Sequence, residues 1–326
     1  MSYKNSQRSV LTIATGKSIY IQMAVNLARS FKWWHKNSEI KFVIATDQRE
    51  LIPPDLSDIE IVELSPNQYG QGFSTKLHLD KITSAEKILF IDADCLCVGS
   101  LESLFDRFAG HSVSVIGGEI SQGEWFGDVA SVCCQFQVKS LPKFNGGVYY
   151  IEKGEMSNQV YTKARELEPL YDKIGLIRLR GKPNDELLMA IAMAIYKQQP
   201  IPDDGTILSD PQACQGGVFI DVFRGYSRLI NPPAPHPQHQ DWYPFEEVSP
   251  LLVHFLGYHT DFYPYKREEL RLKLVVAKKL PVWLSTILAT LLCSIPLLSK
   301  RFLINSLRPI YHRFFGIRAV KTSARL

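Results

Sequence analysis

The run Lys87-Ile88-Leu89-Phe90-Ile91, closed by Asp92-Ala93-Asp94, constrains this chain more than any other segment. A short, unbroken apolar run bounded by polar residues reads as a buried strand. Two carboxylates separated by one residue then stand beyond its C-terminal end. In an open α/β sheet, that end is where ligands bind. Carboxylate oxygens there suit a hard divalent cation, and such a cation suits a diphosphate. The structural alternative is a plain strand-end turn, because Asp is common in turns.

The preceding segments set that strand in a series. Val10–Ala14 reads as a first buried strand, and Ile19–Trp34 has helical apolar spacing at Met23, Leu27 and Phe31. Ile40–Thr46 reads as a second strand ending before Asp47, Ile59–Leu64 as a third, Thr75–Ser84 as helical, and Lys87–Ile91 as the fourth strand. Strand alternating with helix predicts an α/β, doubly wound, mostly parallel sheet. A chain of 326 residues, 45% hydrophobic, suffices for one large domain with an appendage. There is no internal repeat, and the Pro-rich stretch Asn231–Pro237 reads as a loop or hinge.

The appendage is marked by charge. Eleven of the 37 Lys and Arg residues follow Glu269, and all 33 acidic residues lie at or before it. A basic block of this kind suits an anionic surface. Within it, Leu280–Ser299 is uncharged, rich in Leu and Ile, and flanked by Lys278, Lys279, Lys300 and Arg301. As a helix, twenty residues cover about 30 Å, enough to cross a bilayer. Three readings stand: a helix lying in the membrane interface, a spanning helix, and a buried core helix. The first accounts for both the apolar face and the surrounding bases. Arg308, Arg313, Arg318, Lys321 and Arg325, together with Pro281 and Pro296, count against spanning. Nucleic-acid binding is not expected, because the bases flank an apolar segment instead of lining a polar face. The expected organisation is a catalytic unit over 1–265 and a basic, apolar, helical tail over 266–326.

Met1–Ser9 is polar, which predicts no secretory signal and a cytosolic catalytic part with peripheral membrane association. Cys95, Cys97, Cys133, Cys134, Cys214 and Cys293 show no C-x-x-C spacing, so neither a disulfide framework nor a structural zinc site is implied. Cys95 and Cys97 read as small apolar packing residues.

Other candidate site residues lie at strand ends and in loops. Ala14-Thr15-Gly16 closes the first strand, and Tyr20 follows at a distance suited to stacking on a nucleotide base or to core packing. In Phe144-Asn145-Gly146-Gly147, glycines ahead of a strand allow close approach of backbone to ligand, and Asn145 suits sugar hydroxyls; an ordinary turn is the alternative. Pro183-Asn184-Asp185-Glu186 opens a helix, with Asn184 or Asp185 as N-cap or two carboxylates at a reacting centre. His254, in His254-Phe255-Leu256-Gly257, either packs or completes a metal site begun by two aspartates.

In order and approximate spacing these segments resemble the family 8 glycosyltransferases, the group that includes glycogenin and bacterial lipopolysaccharide galactosyltransferases. The resemblance rests on Ala14-Thr15 with Tyr20, Lys76, Phe90-Ile91-Asp92-Ala93-Asp94, Asn145-Gly146-Gly147, Asp185-Glu186 and His254-Phe255-Leu256-Gly257, over roughly residues 8 to 262. It implies a GT-A fold, a nucleotide-sugar donor, a glycan or lipid-linked acceptor, and a manganese or magnesium ion. It also implies that Asp92, Asp94 and His254 bind the ion. Lys76 would lie near the donor and Asp185 against the transferred sugar. Ala14, Thr15, Tyr20, Ala93, Asn145, Gly146, Gly147 and Gly257 would line the donor site. Retention of anomeric configuration follows from the same resemblance. Three positions depart from the family pattern: Glu186 replaces a glutamine, Gly146 a more usual alanine, and Thr260 a diphosphate-binding lysine, for which Lys266 and Arg267 are the candidate substitutes. A carboxylate at 186 keeps a general base, and with it an inverting displacement, in play. Two other classes stay open: a nucleotidyltransferase of related fold, and a non-catalytic membrane adaptor.

Overall fold

The computed structural model describes residues 7–70 and 72–316. Arg318, Lys321 and Arg325 of the basic tail and the first six residues of the polar N-terminus lie outside the described residues. The strands of the first part of the chain are β1 (Arg8–Ala14), β2 (Lys41–Thr46), β3 (Glu60–Glu63), β4 (Lys87–Ile91), β5 (Cys95–Cys97), β6 (Val113–Ile120), β7 (Leu141–Glu152) and β8 (Ile201–Pro202). All but β5 form one sheet in the order β3-β2-β1-β4-β7-β6-β8. The pairs β3/β2, β2/β1, β1/β4 and β6/β8 are parallel; β7 runs antiparallel to both β4 and β6.

Strand alternation explains why this sheet is covered on both faces. On one face Leu11, Val43, Phe90 and Tyr149 meet Leu187, Leu188 and Ile191 of the helix Asp185–Ile195. On the other, Val10, Ile44, Leu89 and Ile91 meet Ile21, Leu27 and Phe31 of the helix Ser18–Trp34. Burying each such side chain contributes about 1.5–3 kcal/mol.

The remaining strands are β9 (Leu208–Ser209), β10 (Gly217–Asp221), β11 (Tyr226–Ile230), β12 (Glu247–Val248) and β13 (Leu252–His254). They form two small sheets, β5-β13-β9 and β10-β11-β12. β13 pairs with β5 so that His254 lies opposite Cys95, which brings the late histidine to the Asp92–Asp94 turn.

Two local expectations need correction. Asn145-Gly146-Gly147 does not precede a strand; it lies inside the twelve-residue β7. β7 pairs with β6 before this segment, over Leu141–Phe144, and with β4 after it, from Val148; in between, the Asp92 N–H holds the Gly147 carbonyl, so residues that in isolation read as a turn stay extended. The Thr75–Ser84 segment is a 3₁₀ helix, Gly72–His78, followed by a short α-helix, Leu79–Ile82.

The start of the tail is locked to the body. In the helix Tyr265–Leu272, Glu268 and Arg271 are buried, and Arg271 bonds Glu268 at 2.8 Å and pairs with Asp221 at 3.0 Å. Glu268 also accepts the Val222 N–H at 3.1 Å. After Pro281, a continuous helix runs over Val282–Phe315. Its apolar side chains Trp283, Ile287, Leu291, Phe302, Leu307 and Phe314 are exposed, and only 17% of its most apolar window is buried. That removes the core-helix reading. Pro296 does not end the helix; it falls in the first turn after a π-helical turn over Thr290–Ser294.

Candidate active site

The site forms where β4, β7 and β13 meet. The Asp92 N–H donates to the Gly147 carbonyl at 2.9 Å, and the Phe255 N–H donates to the Asp94 carbonyl at 2.9 Å. These backbone bonds fix the acidic turn against both neighbours. Ala93 packs into the sheet core between the two aspartates, leaving both carboxylates partly exposed on the outer side. The middle position is therefore small and apolar for a packing reason.

His254 is buried between two acceptors. Its Nε2 lies 3.0 Å from Asp94 Oδ1 and 3.7 Å from Asp92 Oδ2, and its Nδ1 lies 3.1 Å from Asn145 Oδ1. Asn145 Oδ1 also accepts the Gly147 N–H at 2.9 Å, which fixes the orientation of its amide. A proton on Nδ1 shared with Asn145 leaves Nε2 facing the aspartates. Burial pulls the imidazole pKa down; the Asp94 carboxylate overrides it, aided by Asp92 and Asp210, and lifts it to about 9. The carboxylates thus favour the charged ring, with the Nε2 proton directed at Asp94. Two carboxylates and an imidazole form a donor set that fits a manganese or magnesium ion.

Behind this cluster lies a second charged group. Lys76 Nζ bonds Asp92 Oδ2 at 2.7 Å and the Gly146 carbonyl at 2.8 Å, and lies 3.9 Å from Asp185 Oδ2. Burial works against its charge, but Asp92 and Asp185 outweigh that and raise its pKa. Asp185 is buried in the first turn of its helix and accepts the Tyr149 hydroxyl at 2.6 Å. Burial pushes the Asp185 carboxyl up, opposed by Lys76 and Tyr149. Asn184 is the N-cap, accepting the Glu186 N–H at 2.9 Å. Capping by Asn184 leaves the Asp185 carboxylate available to Lys76 and Tyr149.

Glu186 Oε1 accepts the Gly146 N–H at 2.7 Å. Burial, then the adjacent Asp185, raise its carboxyl to about 7. Its folded pKa lies above the ordinary 4.5, so its contribution to stability is full below that value and is lost as pH climbs through about 7. Glu186→Gln keeps the acceptor for Gly146 and removes the titration. In the metal-free protein, the variant should match wild type near pH 4.5 and exceed it by on the order of 1–3 kcal/mol above about pH 8. Thermal unfolding across pH checks this; a pH-independent difference would contradict it.

The candidate donor residues are less concentrated. Ala14 is buried at the end of β1, Thr15 follows it half-buried, and the Gly16 N–H is held by both Asp47 carboxylate oxygens at 3.1 Å. Tyr20 is half-buried in the first turn of its helix and packs against the core cluster. Gly257 adopts φ +57° and opens a 3₁₀ turn, Gly257–Asp261, just past His254. Lys266 bonds Glu269 at 2.7 Å, and Arg267 bonds Glu268 and the Ile220 carbonyl, so both are engaged with the tail helix and β10. The Thr260 hydroxyl donates to the Gly257 carbonyl at 3.2 Å.

Four residues of the site escaped the sequence reading. Tyr149 reaches Asp185 from β7. Asp47 reaches Gly16 because β1 and β2 are parallel and end side by side. Asp210 follows β9, next to β13, and adds negative charge near His254. Cys95 lies close enough to share a ligand cluster with Asp94 and His254. Only Asp47 carried a local signal, as the first acid after a buried strand.

The chain has the fold of GT-A glycosyltransferase structures, a mixed α/β fold built on one large, mostly parallel sheet. It is similar to the galactosyltransferase LgtC solved with donor and acceptor sugar analogs, with a TM-score of 0.53 at 14% identity over 83% of this chain and 95% of that one. An active-site glutamine-to-glutamate mutant of LgtC gives 0.52 at 14% identity over 85% and 99% of the respective chains. No protein-family model and no curated protein sequence matches this chain significantly.

Proposed function

We propose that this chain is a metal-dependent, retaining glycosyltransferase of the family 8 type, moving a sugar from a nucleotide-sugar donor to a glycan or lipid-linked acceptor. The observation that carries this reading is the convergence of Asp92, Asp94 and His254 with Lys76, Asp185 and Glu186 at one strand-end cluster. The fold supports it, since the LgtC structure of similar fold contains donor and acceptor sugar analogs.

In this reading Asp92, Asp94 and His254 hold Mn²⁺ or Mg²⁺. The bound ion supplies Lewis-acid charge against the negative charge that grows on the departing diphosphate. Asn145 keeps the His254 ring turned so that Nε2 faces the aspartates. Lys76 stays charged and holds Asp92 and Asp185 in place, adding positive potential beside the leaving group. Asp185, fixed by Lys76 and Tyr149, presents an acceptor to hydroxyls of the transferred sugar. Glu186, with its pKa near neutrality, holds or accepts the proton that the acceptor hydroxyl gives up. Ala14, Thr15, Tyr20, Gly146, Gly147 and Gly257 are assigned to the donor side. Incubation with labelled nucleotide sugars and Mn²⁺ tests the reading. Release of free nucleoside diphosphate supports it; consumption of a nucleoside triphosphate with pyrophosphate release would assign the chain to nucleotidyl transfer instead.

We further propose that the catalytic unit spans 1–265 and that the 266–326 tail rests on an anionic membrane surface at the cytoplasmic side. The exposed apolar side chains of Val282–Phe315 and the bases Lys300, Arg301, Arg308 and Arg313 support this. Each base near such a surface contributes about 1 kcal/mol. All six cysteines are free, in keeping with a reducing compartment. Deleting 282–326, which spares the buried Glu268–Arg271 pair, should abolish sedimentation with phosphatidylserine vesicles; retained binding would contradict the proposal.

A further inference from the structure

The tightest ligand cluster in the described residues is Asp94, Cys95 and His254, whose ligand atoms all lie within 4.8 Å of one another. Asp92 is the outlier of the site: its Oδ2 is drawn to Lys76 at 2.7 Å and stays 3.7 Å from His254 Nε2. Cys95 is fully buried, and it stands directly opposite His254 in the β5/β13 ladder. Directly opposed residues of an antiparallel pair project to the same face. Asp94 provides the opening, since its side chain remains 22% exposed.

Oxygen, sulfur and nitrogen together form a donor set for zinc and its thiophilic relatives more than for magnesium or manganese. We propose that Cys95 is a direct ligand in the cation site, and that the Asp94–Cys95–His254 trio takes thiophilic divalent ions, zinc, cobalt and cadmium, in competition with Mn²⁺. This rests on the metal-site reading above and adds to it a sulfur ligand and a class of ion. On binding, a sulfur–metal bond forms as the thiol S–H breaks and its proton passes to buffer. No electron is transferred. The packing role read from the sequence and the ligand role coexist, because a thiol buried beside Asp94 is apolar until a metal reaches it.

The test is an anaerobic titration of the metal-free full-length protein with Cd²⁺, read by ultraviolet thiolate-to-cadmium absorption, with Mn²⁺ binding followed separately by electron paramagnetic resonance. Wild type should develop the band, and Cd²⁺ should release bound Mn²⁺. Cys95→Ser should lose the band. Asp94→Asn, at a partly exposed position and with every cysteine retained, should weaken Cd²⁺ binding by at least about tenfold, the loss usual even for a ligand's supporting partner. Persistence of the full band in Cys95→Ser, or an unchanged Cd²⁺ affinity in Asp94→Asn, would place the thiolate elsewhere and overturn the proposal. Mn²⁺ binding to wild type without any sulfur band would overturn it while leaving the metal-site reading intact. Failure of both ions to bind would overturn both.

Discussion

Lys76→Met should cost this protein both stability and turnover. The ammonium lies between Asp92 and Asp185, with its side chain 15% exposed and that of Asp185 only 2%. Methionine keeps the unbranched apolar stem and removes the charge, which leaves two carboxylates facing each other without their cation. Breaking a buried pair in this way costs about 3–5 kcal/mol, and the lower end applies here because Asp92 keeps contact with water. The Gly146 carbonyl loses its side-chain donor at the same time. Turnover should fall by at least about 10²-fold, the usual loss when one charge-stabilising donor is removed. Urea unfolding and kcat for nucleotide-sugar consumption measure the two effects. Because Lys76 and Asp92 touch, the double variant Lys76→Met/Asp92→Asn should be less than additive, with a coupling of about 1–3 kcal/mol. Full additivity would mean that the 2.7 Å contact carries no energy.

Gly147→Ala is the second large effect, and it acts by sterics instead of charge. A Cβ at 147 would stand 2.7 Å from His254 Nδ1, 2.9 Å from its Cε1 and 3.0 Å from Asn145 Oδ1. His254 is buried and held on both sides, so the ring must move or β7 must. Overpacking of this kind costs about 1–3 kcal/mol. Displacing the ring should also weaken Mn²⁺ binding by about 10–100-fold. Gly146→Ala makes a useful contrast. Its Cβ would meet the Glu186 side chain at 3.1 Å, which a small shift of that side chain relieves, and Asp185 Oδ2 at 3.2 Å, which needs a displacement of a few tenths of an ångström. It should cost less than about 1.5 kcal/mol and leave Mn²⁺ affinity within about threefold. Isothermal titration with Mn²⁺ separates the two variants; equal losses would contradict the assignment of Gly147 to the histidine.

What the sequence made legible was local. The apolar runs of β1, β2 and β4 stand out because buried parallel strands need little polar alternation, and Asp92 and Asp94 follow from where β4 stops. The continuation of β7 through Asn145-Gly146-Gly147 was hidden, because these residues are held by Asp92, Lys76, Glu186 and His254, all distant in sequence, and not by a ladder of their own. The grip of Lys76 on Asp92 and the Tyr149–Asp185 bond join elements distant in sequence, which no local pattern encodes. Pro296 counted against a spanning helix, yet the helix runs on through it, because it sits in a first turn, where a missing N–H costs little. Cys95 read as packing because burial and ligation look alike in a sequence until His254 is set opposite it.

Crystals soaked with a nucleotide-sugar donor and Mn²⁺, measured at the manganese absorption edge, test the cation site most directly. An anomalous peak bounded by Asp92, Asp94 and His254 and touching the donor diphosphate is the expected result. Donor bound with no peak there, or a peak held by other side chains, would contradict it.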